Sequence, residues 1–153
     1  MVRRGLVAAA LALRCVSPLT EVMIVLDTDL AVGSDVDTVR VVVTREGGAI
    51  PSHDVLYDLR SRRFTFPGTL GVVARDPEDL TPLRVAVTVS RAGAERFTVR
   101  ARAAPRAYAL SRLDVFLARR CLDAANNACV GDTTCGRAAC EPIARDPLPA
   151  YNP

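Results

Sequence analysis

Glu21–Arg45 reads EVMIVLDTDLAVGSDVDTVRVVVTR. Two apolar, β-branched runs, Val22–Leu26 and Val39–Val43, flank a stretch rich in Asp, Gly and Ser. Branched side chains pack well on a pleated surface, and Asp, Gly and Ser accept tight backbone conformations, so the pattern is two strands joined by a loop. Val22–Leu26 is continuously apolar, which fits a strand covered on both faces. In the second run Val39, Val41 and Val43 point one way and Arg40, Val42 and Thr44 the other.

The same grammar continues outward. Arg45-Glu46-Gly47-Gly48 turns the chain. Asp54–Arg60 is a short strand with Val55, Tyr57 and Leu59 on one face. Phe64, Phe66, Leu70 and Val72 are interrupted by Pro67-Gly68; proline cannot donate to a ladder, which makes this an edge strand or a packed loop. Leu83–Arg91 alternates Leu83, Val85, Val87 and Val89 with polar or small residues. Ala92-Gly93-Ala94 turns it back into Phe97, Val99 and Ala101, a hairpin with one buried and one wet face. Residues 107–118 fit a strand through Leu113, Val115 and Leu117, or a helical stripe through Leu110, Leu113, Phe116 and Leu117; a sandwich that needs a closing member favours the strand.

The expected fold is all-β: an Ig-like antiparallel β-sandwich of about six to seven strands over residues 18–118. A disulfide-rich segment, 119–144, and a flexible tail, 145–153, follow. One chain of 153 residues supports one such domain with appendages.

All 20 basic residues are arginine, a compositional bias with no functional meaning of its own. The net charge of +3 comes from Arg3, Arg4 and Arg14, because all 17 acids lie after residue 20. From Cys15 onward 17 arginines meet 17 acids. A neutral body argues against nucleic acid, which requires a clustered basic surface. Arg96–Arg120 holds seven arginines and one acid, read as the solvent face of strands.

Met1–Leu13, MVRRGLVAAALAL, has a charged start and a short apolar run, the pattern of a secretory signal over residues 1–14. It falls short of the about 20 apolar residues that cross a bilayer. Ala10-Leu11-Ala12 offers a cleavage site. Leu11–Cys15 also resembles a lipobox, with Cys15 as the lipidated residue, although Arg14 stands where Gly or Ala is usual. Export to the periplasm, outer-membrane surface or extracellular space follows; the chain is either freely secreted or anchored by a lipid on Cys15, which would be its one contact with a membrane.

Cys121, Cys129, Cys135 and Cys140 fall in a segment too small for a core of its own. In an exported chain they imply two disulfides. Zinc competes, but structural zinc sites use closer cysteine pairs, and only Cys135 and Cys140 approach that spacing.

The arrangement resembles short exported proteins and lipoproteins of GC-rich Gram-negative bacteria that place one β-sandwich-like domain before a cysteine-rich knot. The matching residues are Thr20–Leu30, Leu113-Asp114-Val115, and Thr134-Cys135 through Cys140. The resemblance implies an envelope location and no activity. By analogy with EGF-like openings alone, the pairing is Cys121–Cys135 with Cys129–Cys140.

Asp27, Asp29, Asp35 and Asp37 form the one acidic constellation. Converging carboxylates would suit calcium, a hard cation taking six to eight oxygens. The spacing departs from an EF-hand, since the fifth, sixth and twelfth positions counted from Asp27 are Ala31, Val32 and Thr38. Solvated turn residues and strand-end caps are the competing reading. Ser52-His53-Asp54 has the residue types of a hydrolytic triad, yet neighbours along a strand point to opposite faces. Asp76, Glu78 and Asp79 read as a solvated turn. No phosphate loop, HExxH or GxSxG occurs, so an enzyme is not expected. The expected role is a non-enzymatic structural or binding module of the cell envelope, contacting protein or polysaccharide. The rivals are a calcium-stabilised adhesion domain built on the Asp27–Asp37 loop and an enzyme with a loop-borne site.

Overall fold

A computed structural model describes residues 19–61 and 63–152. The expected signal segment, residues 1–14, and the expected lipidation position Cys15 lie outside the described residues.

The body is a sandwich of seven strands: β1 (Glu21–Thr28), β2 (Thr38–Arg45), β3 (His53–Asp58), β4 (Gly68–Val73), β5 (Leu83–Arg91), β6 (Ala94–Ala103) and β7 (Leu110–Leu117). One sheet has the order β4-β1-β7 and the other β3-β2-β5-β6. Five of the seven strands pair only antiparallel; β1 pairs antiparallel with β4 and parallel with β7, the one parallel ladder between them. Residues 107–118 are therefore strand, not helix, and β4 is an edge strand.

Alternation sets the core. Val39, Val41 and Val43 of β2 stand in register with Val89, Val87 and Val85 of β5, and Val87 with Val99 of β6. They face Val22, Ile24 and Leu26 of β1 and Leu113, Val115 and Leu117 of β7, all buried. β1 is covered less completely than its apolar run implies: Met23 is half-buried on the outer face. Fully burying one such aliphatic side chain contributes about 1.5–3 kcal/mol.

The β5–β6 connection is two residues, Ala92 and Gly93, both at positive φ (50° and 80°). That geometry matches the right-handed twist of the flanking strands. Ala92 is an unfavourable residue there, and the buried Asp37 holds it: its Oδ2 accepts the Ala92 N–H at 2.8 Å.

After β7 a 3-10 turn (Arg119–Leu122) and the short α1 (Ala124–Asn127) lead to a small hairpin, β8 (Thr133–Cys135) and β9 (Cys140–Pro142). Cys121 is bonded to Cys135 and Cys129 to Cys140. Residues 145–151, expected as a flexible tail, run back along the sandwich. Arg102 N–H donates to Ile143 O and Arg145 N–H to Arg102 O, along the free edge of β6. Arg112 N–H donates to Pro149 O and Tyr151 N–H to Leu110 O, along the free edge of β7. Leu148, 3 % exposed, joins the core between them. Three prolines suggest looseness in sequence, but unpaired edge N–H and C=O groups give the segment something to bond.

Leu113→Ala is expected to cost about 2–5 kcal/mol by urea denaturation. Leu56→Ala, at a side chain 63 % exposed, is expected to stay within about 0.5 kcal/mol. Equal losses would contradict this placement of the core.

Candidate functional site

The residues singled out in sequence are dispersed. Asp27 Oδ1 accepts its neighbour Thr28 N–H, and its Oδ2 lies 4.0 Å from Arg137 Nη2. Asp29 accepts the Arg119 N–H. Asp35 accepts the Ala31 N–H at 3.0 Å and pairs with Arg119 Nε at 3.3 Å. Asp37 turns inward to the β5–β6 connection. The structure does not gather Asp27, Asp29, Asp35 and Asp37 into one cluster: Asp29 and Asp35 both meet Arg119, while Asp27 and Asp37 bond elsewhere. Among the described residues no group of three or more His, Cys, Asp or Glu is arranged to hold a metal ion. Millimolar calcium is accordingly expected to leave the melting temperature unchanged; a rise abolished by Asp27→Ala with Asp29→Ala would contradict this.

The triad residue types are equally separate. Ser52 Oγ donates to Val43 O at 3.1 Å. His53 Nε2 lies 3.5 Å from Tyr57 Oη. Asp54 receives Arg40 through Nε and Nη2 at 2.8 and 2.7 Å. In the 76–82 turn, Asp76 accepts the Glu78 N–H and Asp79 the Thr81 N–H. Asp79 also pairs with Arg45 at 2.6 Å. These carboxylates shape a turn.

A concave feature lies elsewhere, on the outer face of the four-stranded sheet. It is a groove of about 710 Å³. Val42, Thr44 and Ala86 line it from β2 and β5, Arg84, Arg100 and Arg102 from β5 and β6, and Asp132, Ile143 and Ala144 from beyond the edge of β6. Small residues stand in register on β2 and β5 there, Val42 opposite Ala86, and Arg100 of β6 stands opposite Ala86. Residues 143–145 reach the groove because they lie along β6.

Glu46 sits at one end. The register places Thr44, Arg84 and Arg102 in one row, and Glu46, one turn beyond, receives both arginines. Arg102 Nη2 donates to Oε2 at 2.6 Å and Arg84 Nη2 to Oε1 at 3.0 Å. Hydrogen bonds from Arg102, then Arg84, hold its carboxyl down at about 2, far below the usual glutamate range. Glu46, Arg84 and Arg102 thereby satisfy one another.

Arg100 is different. It lines this groove and a second one of about 460 Å³ between β6 and the disulfide segment, shared with Arg96, Thr98, Asn127 and Thr133. Neither Arg96 nor Arg100 forms an ion pair with any described residue. Main-chain contact fixes the second groove: buried Thr134 Oγ1 accepts the Arg100 N–H at 2.9 Å. Of the seven arginines in Arg96–Arg120, Arg102, Arg112 and Arg119 are paired to acids. Arg120 reaches into the knot, donating to Gly136 O and Asn126 Oδ1. Reading the stretch as one solvent face missed this division. Lining up the outward residues of β5 and β6 would have placed Arg84 beside Arg102, but nothing in sequence placed the disulfide segment against them.

Compared with known proteins, the chain matches no family model, no curated protein and no solved structure. Among the described residues no helix is long and apolar enough to cross a membrane.

Glu46 is ionised through the whole range above ordinary glutamate titration. Its stabilising contribution is therefore present above that range and is lost as pH falls through about 2. Side-chain carboxyl NMR is expected to report this low value in the wild type and a return toward the ordinary glutamate value in Arg102→Gln. An ordinary value in the wild type would contradict the clamp.

Proposed function

We propose that the chain is an exported, non-enzymatic binding module of the cell envelope whose ligand is a carboxylated polysaccharide held along the β6 grooves. The observation that carries this reading is the pair Arg96 and Arg100, two cations that form no ion pair with a described residue, beside a groove lined also with Thr133, Asn127 and Glu95, whose carboxylate takes the Thr98 hydroxyl. A guanidinium matches a carboxylate with two parallel N–H···O bonds, and hydroxyls and amides match sugar hydroxyls. The open groove over Val42 and Ala86, about 710 Å³, has room for a segment of a polymer chain.

Export is supported by the two disulfides, which persist in oxidising compartments, and by the charged, then apolar, start of the sequence. The non-enzymatic reading is supported by the separate engagement of Ser52, His53 and Asp54.

Polygalacturonate, with neutral dextran as control, is the probe. Calorimetric titration of the disulfide-bonded chain is expected to show binding of the acidic polymer alone, weakening with salt. Arg96→Ala with Arg100→Ala removes charge-assisted bonds worth about 1.5–3 kcal/mol each, so affinity is expected to fall roughly tenfold or more. No binding, or binding unaffected by that variant, overturns the ligand. Intact mass from the native host tests the compartment separately: residues 1–13 retained together with free thiols would overturn export.

A further inference from the structure

The two sheets have four edge strands, and they are not treated alike. β6 is paired along its edge by residues 143–145, and β7 by residues 149–151. β3 carries His53, Asp54 and Asp58, and charge on an edge strand discourages pairing with another chain. β4, Gly68–Val73, reads GTLGVV: it carries no charge and no proline.

The hydrogen-bonding direction of β4 follows from the structure. Ala74 N–H donates to Thr20 O, and Glu21, opposite Val73, sends its own N–H to Ala109 O on the far side of β1. In an antiparallel pair the bonding residues alternate. Val72 and Leu70 therefore bond β1, while Thr69, Gly71 and Val73 aim their N–H and C=O groups away from it. No described strand lies beyond them.

We propose that β4 pairs antiparallel with β4 of a second copy across a twofold axis at Gly71. The outward residues are spaced symmetrically about that glycine, so Gly71 meets its own copy and Thr69 meets the other copy's Val73, each pair exchanging both N–H···O bonds. On the inner face Leu70 meets the other copy's Val72, and both are only half-buried in one chain. An uncharged strand opposes itself without like-charge repulsion. The nearest carboxylate, Glu21, lies over Gly71 on the sheet face, out of the bonding plane of the edge. The two three-stranded sheets become one six-stranded sheet. The β7 edge at each end is bonded at Leu110 and Arg112 by its own residues 149–151, which leaves less of it open to a further copy. The dimer leaves the β6 grooves free and does not depend on what they bind.

Sedimentation velocity of the disulfide-bonded chain over a concentration series, with amide exchange at Thr69, Gly71 and Val73, tests this. Monomer is expected to convert to dimer as concentration rises, with exchange at those three amides slowing at least about tenfold. Val73→Pro deletes an outward N–H that β1 does not use, and Thr69→Lys places a charge on the edge. Each is expected to weaken association about tenfold or more while monomer melting stays within a few degrees; Thr69→Lys carries the test should the proline variant not fold. A monomer up to about 1 mM, far above the affinity range of specific complexes, would overturn the proposal. So would a dimer that leaves those amides unprotected or survives both variants, and so would higher oligomers.

Discussion

A β-sheet edge is a row of N–H and C=O groups that must be bonded or guarded, and this protein is arranged around that constraint. A seven-stranded sandwich buries its faces easily; the valine rows of β2 and β5 need only each other and the opposite sheet. Its edges are harder to close. On one side the chain continues past β7 and returns, first along β6 and then along β7, with Leu148 set into the core between the two lines of bonds. One short segment thereby seals two sheets at once.

That return also makes the site. Without residues 143–145 the outer face of β2, β5 and β6 would be an open sheet surface bearing Arg84, Arg100 and Arg102. With them, Ile143 and Ala144 line the same groove from beyond the edge of β6. Glu46 then decides which arginines are spoken for. It sits where the row Thr44–Arg84–Arg102 ends and takes two guanidiniums, leaving Arg100 without an anion. A groove of this kind combines a fixed, self-neutralised end with an unsatisfied middle.

What the sequence revealed and what it withheld divide along one physical line. Features set by neighbours in the chain were legible: the faces of β2, β5 and β6 follow from period-two alternation, the β5–β6 turn from Ala92-Gly93, and the β4 edge from Pro67-Gly68. Features set by distant register were not. Glu46 lies 38 residues from Arg84 and 56 from Arg102, and no local pattern reports which strands of a crossover fold become neighbours. The aspartates illustrate the same limit from the other side. Their closeness in sequence implied a shared site, but Asp37 belongs to the turn at Ala92, 55 residues away. Asp29 belongs to Arg119, 90 residues away. The prolines of the tail implied looseness because only local propensity was visible, whereas the free edges of β6 and β7 supply bonds that override it.

The cysteines complete the argument. A segment as short as Cys121–Cys140 has too little apolar surface to fold alone, so its order has to come from outside the hydrophobic effect. The two disulfides close loops whose ends are 14 and 11 residues apart in sequence, and in the chain-entropy account a loop of about 15 residues is worth about 3 kcal/mol. That constraint fixes where the chain leaves the knot at Pro142, and hence where Ile143 and Arg145 meet Arg102. The covalent links thus act at a distance from themselves: by holding Cys121–Cys140 in shape they position the strap that closes both edges and walls the groove. A knot that looks like an appendage in sequence is the element through which the sandwich acquires two closed edges and a concave surface.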